Sequence, residues 1–258
     1  MANSASQKRR IYWALSKSSQ DKSIDGTYEL SKSKAKMPQL KVVIFDFGGV
    51  IMSYRGTNAY WKDLEIERNL PEGSIRKTML SSEFASISYD LFTGIKSAEE
   101  VEENEFIRIY NRQHNLNAKP FPVIRNWLCD DSKLVSYNEN VLEAIKILRD
   151  SGIKTALLTN TYYIDKQRTK RRMPIDRALF DSVVESCAEG IMKPHPQIFK
   201  ILLDRLDIRP EECVFVDDHY ANCETAKMLG MKTVHVKNSD TESALIDLED
   251  ILNEDMLS

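Results

Sequence analysis

The sequence predicts an α/β fold: a parallel sheet with helices on both faces and an α-helical unit inserted near its beginning. Short apolar runs alternate with amphipathic helical stretches over residues 131–258, and one further apolar run precedes residue 50. Between these parts, residues 58–130 show the periodicity of helices alone. Strands that alternate with helices at this spacing favour right-handed βαβ units, in which the strands are parallel.

The first predicted strand covers residues 41–47, an apolar, β-branched run that Gly48 and Gly49 close. This pattern is typical of a buried strand that ends in a tight turn. Further strands are expected at 154–158, 182–185, 213–216 and 232–236, and helices with apolar residues three and four apart at 141–148, 198–206, 221–229 and 245–252. These elements predict a Rossmann-like core composed of residues 40–57 and 131–258.

Residues 58–130 predict a small helical domain. Charged residues are dense there, apolar residues recur at helical spacing, and Ser97 and Glu100 form the capping-box pattern that opens a helix. We expect its aromatic residues to build a small core of their own, with one or two facing a ligand: Tyr60, Trp61, Phe84, Tyr89, Phe92 and Trp127.

The composition argues against several classes of protein. The chain has 258 residues, with 36 Lys and Arg against 39 Asp and Glu, and its net charge of -3 argues against a nucleic-acid binder. No apolar run reaches the roughly 18–20 residues of a transmembrane helix. The four cysteines show no CxxC spacing, which favours reduced, structural thiols. We therefore expect a cytoplasmic protein, and the oligomeric state is left open.

The beginning of the chain differs in charge from the rest. Residues 1–40 hold eight Lys and Arg against three Asp and Glu, so residues 41–258 carry 28 against 36. Eight serines and few aliphatic residues leave too little apolar surface to offset the entropy of ordering, which predicts a disordered basic tail at 1–39. Because the first twenty residues lack any acid, a mitochondrial transit peptide is the alternative.

Polar side chains stand at the ends of three different predicted strands: Asp46, the pair Thr159 and Asn160, and the pair Asp217 and Asp218. In parallel α/β sheets, ligands bind at the carboxyl ends of the strands. If the three strands are neighbours, these residues meet in one crevice.

Such a crevice would bring several carboxylates together, which repel each other unless a cation lies between them. Mg²⁺ prefers carboxylate and carbonyl oxygens, and Lys193, just before a predicted helix, adds a positive charge. A carboxylate nucleophile, a metal ion and a lysine form a set suited to phosphoryl transfer through an aspartyl-phosphate. Each residue alone is also typical of a turn, a helix N-cap or a solvated lysine. Their order and spacing favour the chemistry.

Four motifs contain these residues: VVIFDFGGV at 42–50, ALLTN at 156–160, GIMKPHPQIF at 190–199 and VFVDDHYANCETAKMLGM at 214–231. In this order they resemble the haloacid dehalogenase-like hydrolase superfamily, in the subgroup with a helical cap after the first strand. Within it, the sequence is similar to the phosphatase-like domains of soluble epoxide hydrolase and of acyl-CoA dehydrogenase family member 10. The likeness covers about residues 40–240.

The resemblance implies a Mg²⁺-dependent phosphatase that acts on a small phosphorylated metabolite or a lipid phosphate, with residues 58–130 as the cap that closes over the site and selects the substrate. Asp46 would be the nucleophile. The other implied roles are metal binding by Asp46, the Gly48 carbonyl, Asp218 and Asp217, catalysis by Lys193, and phosphate binding by Thr159, Asn160 and Lys193.

Gly48 departs from the pattern of the superfamily, whose phosphatases carry a second aspartate there as general acid and base. Such proton transfer contributes about 10²–10⁴-fold to a rate. Three alternatives follow: a substrate with a good leaving group, a cap residue or water that replaces the acid, or an inactive fold that serves as a binding or interaction module. A halide also leaves without an acid, but the pair Asp217 and Asp218 argues against a metal-free dehalogenase.

A basic cluster follows Asn160 by a few residues: Lys166, Arg168, Lys170, Arg171 and Arg172. We expect it to be a solvated helix face, and attraction of an anionic substrate is the alternative.

Overall fold

The computed structural model describes residues 39–53, 57–126, 136–171 and 176–257. The predicted tail, apart from Gln39, and the positions of Trp127 and Arg172 lie outside the described residues.

Helices and strands alternate along the described chain. The strands are β1 Val42–Phe45, β2 Met52–Ser53, β3 Ser136–Tyr137, β4 Lys154–Thr159, β5 Ser182–Glu185, β6 Cys213–Asp217 and β7 Lys232–His235. The α-helices are α1 Thr57–Glu67, α2 Ser74–Met79, α3 Ser82–Phe92, α4 Ala98–Glu100, α5 Ile107–His114, α6 Glu139–Asp150, α7 Ser186–Glu189, α8 Pro196–Leu206, α9 Tyr220–Met228 and α10 Thr241–Leu257. Among the described residues, no helix combines the length and the apolarity that crossing a bilayer demands.

Five strands form one parallel sheet in the order β5-β4-β1-β6-β7. The central strand β1 is fully buried over its whole length. Its neighbours are β4 and β6, so the residues that follow these three strands emerge side by side. The predicted parallel α/β core is confirmed, and its strands begin and end within two residues of the predicted positions.

Helices cover both faces of this sheet because the side chains of each strand alternate between them. On one face, Val43 and Phe45 of β1 belong to the apolar cluster that includes Ile145 of α6 and Leu248 of α10. On the other, Ile44 packs in the cluster of α8 and α9. Each face therefore has a core of its own.

Helices α1 to α5 form the inserted helical unit, which has a third apolar cluster. Trp61 and Phe84 are buried in it as predicted, whereas Tyr89 is 54% exposed. The capping box of Ser97 and Glu100 is present at the start of α4. A π-helical turn, Val101–Phe106, joins α4 to α5.

The chain passes between the sheet and the helical unit beside one small antiparallel pair. Strands β2 and β3 pair Met52 with Tyr137 and Ser53 with Ser136. Helix α1 begins at Thr57. The cap boundaries at 58 and 130 remain a prediction.

The described members of the basic cluster after Asn160 do not lie on a helix. Residues 163–171 form a loop that closes on itself through a bridge between Tyr163 and Arg171. The expectation of a helix face was wrong, because the basic spacing reflects partners elsewhere in the fold and not a helical period.

Candidate active site

The carboxyl ends of β4, β1 and β6 bring the sequence-predicted residues together at one edge of the sheet. A cavity of about 360 Å³ lies there, and its lining includes five of them: Asp46, Gly48, Thr159, Asn160 and Lys193. Asp217, which binds Lys193, and Asp218 are not part of this lining. A cavity of about 420 Å³ lies at the opposite edge, beside the amino ends of β1 and β4, away from these residues.

The ammonium group of Lys193 lies buried between two carboxylates. Its Nζ is 2.9 Å from Asp46 Oδ1 and 2.7 Å from Asp217 Oδ2, and it donates a third hydrogen bond of 2.7 Å to the Leu158 carbonyl. Burial alone would lower the pKa of Lys193, but the two carboxylates outweigh it and the pKa is raised. Lys193 therefore keeps its positive charge in this buried position.

Asp46 is buried beside Lys193 and close to the carboxylate of Asp217. Burial raises the pKa of Asp46 from 3.8 to about 7, while Lys193 opposes this rise and Asp217 adds to it. Its Oδ1 also accepts a hydrogen bond of 2.7 Å from the Phe47 N–H. A cation bound beside this carboxylate would favour its charged form.

Asp217 uses both carboxylate oxygens within the protein. Oδ1 accepts hydrogen bonds from the His219 N–H and from Asn222 Nδ2, at 2.7 and 3.0 Å. Oδ2 accepts from Lys193 Nζ and from Asn222 Nδ2, at 2.7 and 3.1 Å. Because a carboxylate has about four acceptor positions, Asp217 is suited to holding Lys193 and the loop after β6.

Asp218 is the less buried aspartate of the pair. Burial raises its pKa, and His219 counteracts the rise. One carboxylate oxygen from each of Asp46, Asp217 and Asp218 lies within 4.8 Å of the others. Three carboxylates against one ammonium leave an excess of negative charge, and hard oxygen donors of this kind fit Mg²⁺.

Gly49 allows Asp218 to approach the turn after β1. Its φ is +75°, and a Cβ at this position would lie 2.1 Å from Asp218 Oδ2. The turn is held by hydrogen bonds from the Gly49 N–H to the Met52 carbonyl, 2.7 Å, and from the Met52 N–H to the Phe47 carbonyl, 2.8 Å. A glycine is thus required both by the backbone and by the close approach of the carboxylate.

Asn160 uses its carboxamide to hold Lys193. Its Oδ1 accepts from the Lys193 N–H at 2.9 Å, and its Nδ2 donates to the Lys193 carbonyl at 3.0 Å. Sequence reasoning assigned Asn160 to phosphate binding and missed this contact, which joins residues 33 positions apart. Thr159 is buried in the cavity lining, where its hydroxyl is the neighbouring polar group.

The helical unit forms one wall of the cavity through Ser88 and Phe92 of α3. The Phe92 ring packs edge-on against Tyr162 at a centroid distance of 5.9 Å. Tyr162, which follows β4, donates a hydrogen bond of 3.3 Å to the Ile124 carbonyl of the helical unit. The wall around the polar floor is therefore largely apolar and is shared between sheet and helices.

A family profile described as haloacid dehalogenase-like hydrolase matches residues 40–230. The chain belongs to the haloacid dehalogenase-like hydrolase family. It is 32% identical to acyl-CoA dehydrogenase family member 10 of Mus musculus over 215 residues, 82% of this chain and 19% of that protein. It is 39% identical to bifunctional epoxide hydrolase 2 of Rattus norvegicus over 119 residues, 45% of this chain and 21% of that protein. The matched parts thus span about a fifth of these relatives.

Solved structures share the fold of this haloacid dehalogenase-like hydrolase. A HAD family enzyme of Bacteroides thetaiotaomicron superposes with a TM-score of 0.58 and 21% identity, over 81% of this chain and 98% of that chain. The L-2-haloacid dehalogenase of Xanthobacter autotrophicus gives a TM-score of 0.51 and 15% identity, over 76% of this chain and 77% of that chain. At these identities the likeness concerns the fold alone.

Three cavity residues of this hydrolase escaped the sequence analysis as site residues. Ser88 and Tyr162 lie outside the four motifs, and Asn222 was noted only as part of the motif at 214–231. Asn222 stands five residues after Asp217, and this spacing at the start of a helix is the signal that could have found it. Ser88 had no such signal in the sequence.

Proposed function

We propose that this hydrolase is a Mg²⁺-dependent phosphatase that cleaves a phosphate monoester through an aspartyl-phosphate on Asp46. One observation carries the proposal: the Asp46 carboxylate faces a cavity while the buried Lys193 ammonium lies 2.9 Å from its Oδ1. Relatives named as phosphatases support it. One is the glyceraldehyde 3-phosphate phosphatase of Pyrococcus furiosus, 37% identical over 103 residues, 40% of this chain and 42% of that protein.

The reaction would proceed in two steps at Asp46. A carboxylate oxygen attacks phosphorus while the bond from phosphorus to the ester oxygen breaks, and that oxygen leaves with the bonding electrons as an alkoxide or phenolate that solvent water protonates. Water then attacks the phosphorus of the aspartyl-phosphate, the bond from phosphorus to the carboxylate oxygen breaks, and the proton of the water passes to inorganic phosphate or to solvent as the carboxylate is restored. Lys193, the Thr159 hydroxyl and the backbone N–H of Asn160 would bind the phosphoryl oxygens and stabilise their charge.

The carboxylates of Asp46 and Asp218 and the Gly48 carbonyl would hold Mg²⁺, and Asp217 would keep Lys193 and the neighbouring loop in place. When bound, Mg²⁺ supplies positive charge for the transferring phosphoryl group. Support for a metal here comes from the excess of carboxylates over ammonium groups in the cluster. A HAD family enzyme of the same fold was solved with magnesium and inorganic phosphate.

Gly48 places a limit on the substrate. Its position offers no carboxyl group to protonate the leaving alcohol, and the cavity wall is largely apolar. We therefore expect a preference for esters whose leaving group departs without protonation, such as aryl, acyl or anomeric phosphates.

The test is hydrolysis of p-nitrophenyl phosphate by the full chain with Mg²⁺ or with EDTA. We expect activity with Mg²⁺ alone, and Asp46→Asn should lower kcat by at least about a thousandfold, since it removes the nucleophile. Asp204→Asn, at an exposed site on α8, is the matched control and should retain activity. Activity in EDTA, or in Asp46→Asn, would contradict the proposal.

A second candidate is a binding module that has lost catalysis, and the absent carboxyl group at position 48 is the observation that favours it. It predicts that inorganic phosphate binds with Mg²⁺ in calorimetry while no phosphate ester of a broad panel is hydrolysed.

A further inference from the structure

The loop that follows β4 contacts the helical unit through Lys166, through backbone groups and above all through Arg168, whose side chain makes three of these hydrogen bonds. We propose that Arg168 is a positioning residue that fixes the helical wall of the cavity by tying the turn after α3 to this loop. Its side chain is 38% exposed, and its backbone lies in the left-handed region with φ 56°. That region is costly for a residue with a Cβ, and such residues cluster at functional sites.

The guanidinium of Arg168 binds the turn after α3 directly. Nε donates to the Gly94 carbonyl at 3.0 Å, and Nη2 donates to the Ile95 carbonyl at 2.7 Å. Nη2 also lies 3.3 Å from Oε2 of Glu100, the last residue of α4. A planar group with several fixed donors suits two carbonyls and a carboxylate at once, which an ammonium group does not.

Backbone hydrogen bonds also connect the loop to the helical unit. The Ala98 N–H donates to the Tyr163 carbonyl at 2.8 Å, and the Glu99 N–H donates to the Ile164 carbonyl at 3.2 Å. The first N–H groups of a helix have no partner within the helix, so here the loop satisfies those of α4. Gly94, in the turn after α3, also lies close to α7, because a Cβ at Gly94 would be 2.4 Å from the carbonyl oxygen of Cys187.

The loop itself is anchored to the sheet side of the molecule. Asp165 accepts hydrogen bonds from the Thr169 hydroxyl at 2.5 Å and from the Lys170 N–H at 2.7 Å, which closes the loop. Arg171 Nη1 lies 2.9 Å from Oε2 of the buried Glu185, the last residue of β5. The loop that carries Arg168 is therefore fixed by its own hydrogen bonds and by the ion pair with Glu185 of β5.

On both sides of this junction, the neighbouring residues in the sequence line the cavity. Gly94 comes two residues after Phe92, which with Ser88 forms the helical wall. Tyr162 precedes the loop, packs on Phe92 and also lines the cavity. Loss of the Arg168 contacts should let the wall move relative to Asp46.

The experiment measures the distance between sheet and helical unit by pulsed electron paramagnetic resonance in the full chain with Mg²⁺. Spin labels are placed at Leu80→Cys, after α2, and at Met228→Cys, on α9, since both side chains are exposed. Cys129→Ser removes the cysteine outside the described residues, and the three described cysteines are buried. The variants are Arg168→Ala and Arg168→Lys.

Arg149→Ala is the matched control. The Arg149 side chain is similarly exposed, at 34%, and it also binds a carboxylate and a carbonyl: Asp181 at 2.9 Å and the Leu179 carbonyl at 3.2 Å. These contacts lie near the amino ends of β4 and β5, at the edge of the sheet opposite the junction. We expect one narrow distance in the parent and in Arg149→Ala, a broader distribution in Arg168→Ala and an intermediate one in Arg168→Lys. Equal widths in the parent and Arg168→Ala, or equal broadening in Arg149→Ala, would overturn the proposal.

A kinetic readout rests on the proposed phosphatase function. Arg168→Ala should raise KM and lower kcat/KM for p-nitrophenyl phosphate by about ten- to a hundredfold, because misplaced groups lose catalytic orientation. Arg168→Lys should recover part of this loss, and Arg149→Ala should have no effect. If the parent hydrolyses no phosphate, the proposed function fails while the distance measurement still decides the role of Arg168.

Discussion

At the scale of single residues, the candidate site depends on Gly49, because this position has no side chain. Gly49 lets the turn after β1 pass beside Asp218, whose Oδ2 would lie 2.1 Å from a Cβ at this position. Gly73 has the same φ of +75°, but nothing lies within 4 Å of its missing Cβ. Alanine substitutions at the two glycines therefore distinguish the free-energy cost of the backbone conformation, which both share, from that of a clash with the Asp218 carboxylate, which only Gly49 would have.

Gly73→Ala should destabilise the protein by about 1–2 kcal/mol, the cost of a left-handed conformation in a residue with a Cβ, and leave Mg²⁺ binding unchanged. Gly49→Ala should cost at least as much and also displace Asp218, lowering Mg²⁺ affinity about 10–100-fold, as loss of the support of a metal ligand does. Urea unfolding and titration calorimetry measure the two effects. Parent-like Mg²⁺ affinity in Gly49→Ala would show that Asp218 does not hold the metal.

At the scale of elements, the π-helical turn between α4 and α5 places the carboxylate of Glu102 in the interior of the helical unit. Glu102 in this turn is fully buried, and its Oε1 accepts from the N–H groups of Ile124 and Arg125 at 2.5 and 2.7 Å. Its Oε2 lies 2.8 Å from Arg125 Nε. The turn thereby holds the segment whose Ile124 carbonyl also binds Tyr162.

This turn predicts a pH dependence of stability. Burial raises the pKa of Glu102 from 4.5 to about 7, against the opposing effect of its hydrogen bonds and Arg125. Between these values the folded chain binds more protons at Glu102 than the unfolded chain. The contribution of Glu102 to the free energy of unfolding therefore falls as pH rises, by at most about 1.4 kcal/mol per pH unit.

Urea unfolding of the parent and of Glu102→Gln should show this difference between about pH 4.5 and pH 7, at one fixed Mg²⁺ concentration. Glu67→Gln, at an exposed site on α1, serves as the control and should follow the parent. Parallel pH profiles of the parent and Glu102→Gln would disprove the prediction.

The sequence predicted those elements whose signals are local. The runs at Val42–Phe45 and Cys213–Asp217 are apolar and β-branched because these strands are buried on both faces. Features that depend on distant partners were missed or misread. Arg168 binds carbonyls 73 and 74 positions away, so its basic neighbourhood looked like a helix face. The contact of Asn160 with Lys193 likewise leaves no local pattern.

At the scale of the whole molecule, three apolar clusters surround the candidate site. Two lie on the faces of the sheet, and the third lies in the helical unit. The carboxylates of Asp46, Asp217 and Asp218 gather at the sheet edge near the cavity. A cation that binds these groups only in the folded chain would stabilise the whole fold.

Mg²⁺ should therefore raise the melting temperature. At a hundred times its dissociation constant, the ligand adds about 2.7 kcal/mol, which corresponds to about 5–10 °C for a protein of this size. Differential scanning calorimetry with Mg²⁺ and with EDTA measures the shift. Asp218→Asn should abolish most of it, and a shift of parent size in that variant would place the cation elsewhere.

The pairing of β2 with β3 bears on how such a molecule can diversify. Ser53 and Ser136 are direct partners in this pair, although more than eighty positions separate them in the chain. The helical unit is therefore inserted between two points that already lie side by side, much as a loop joins the strands of a hairpin. Its length and sequence can change without shifting the register of the sheet, so a new cavity wall can be fitted to an unaltered set of reactive groups.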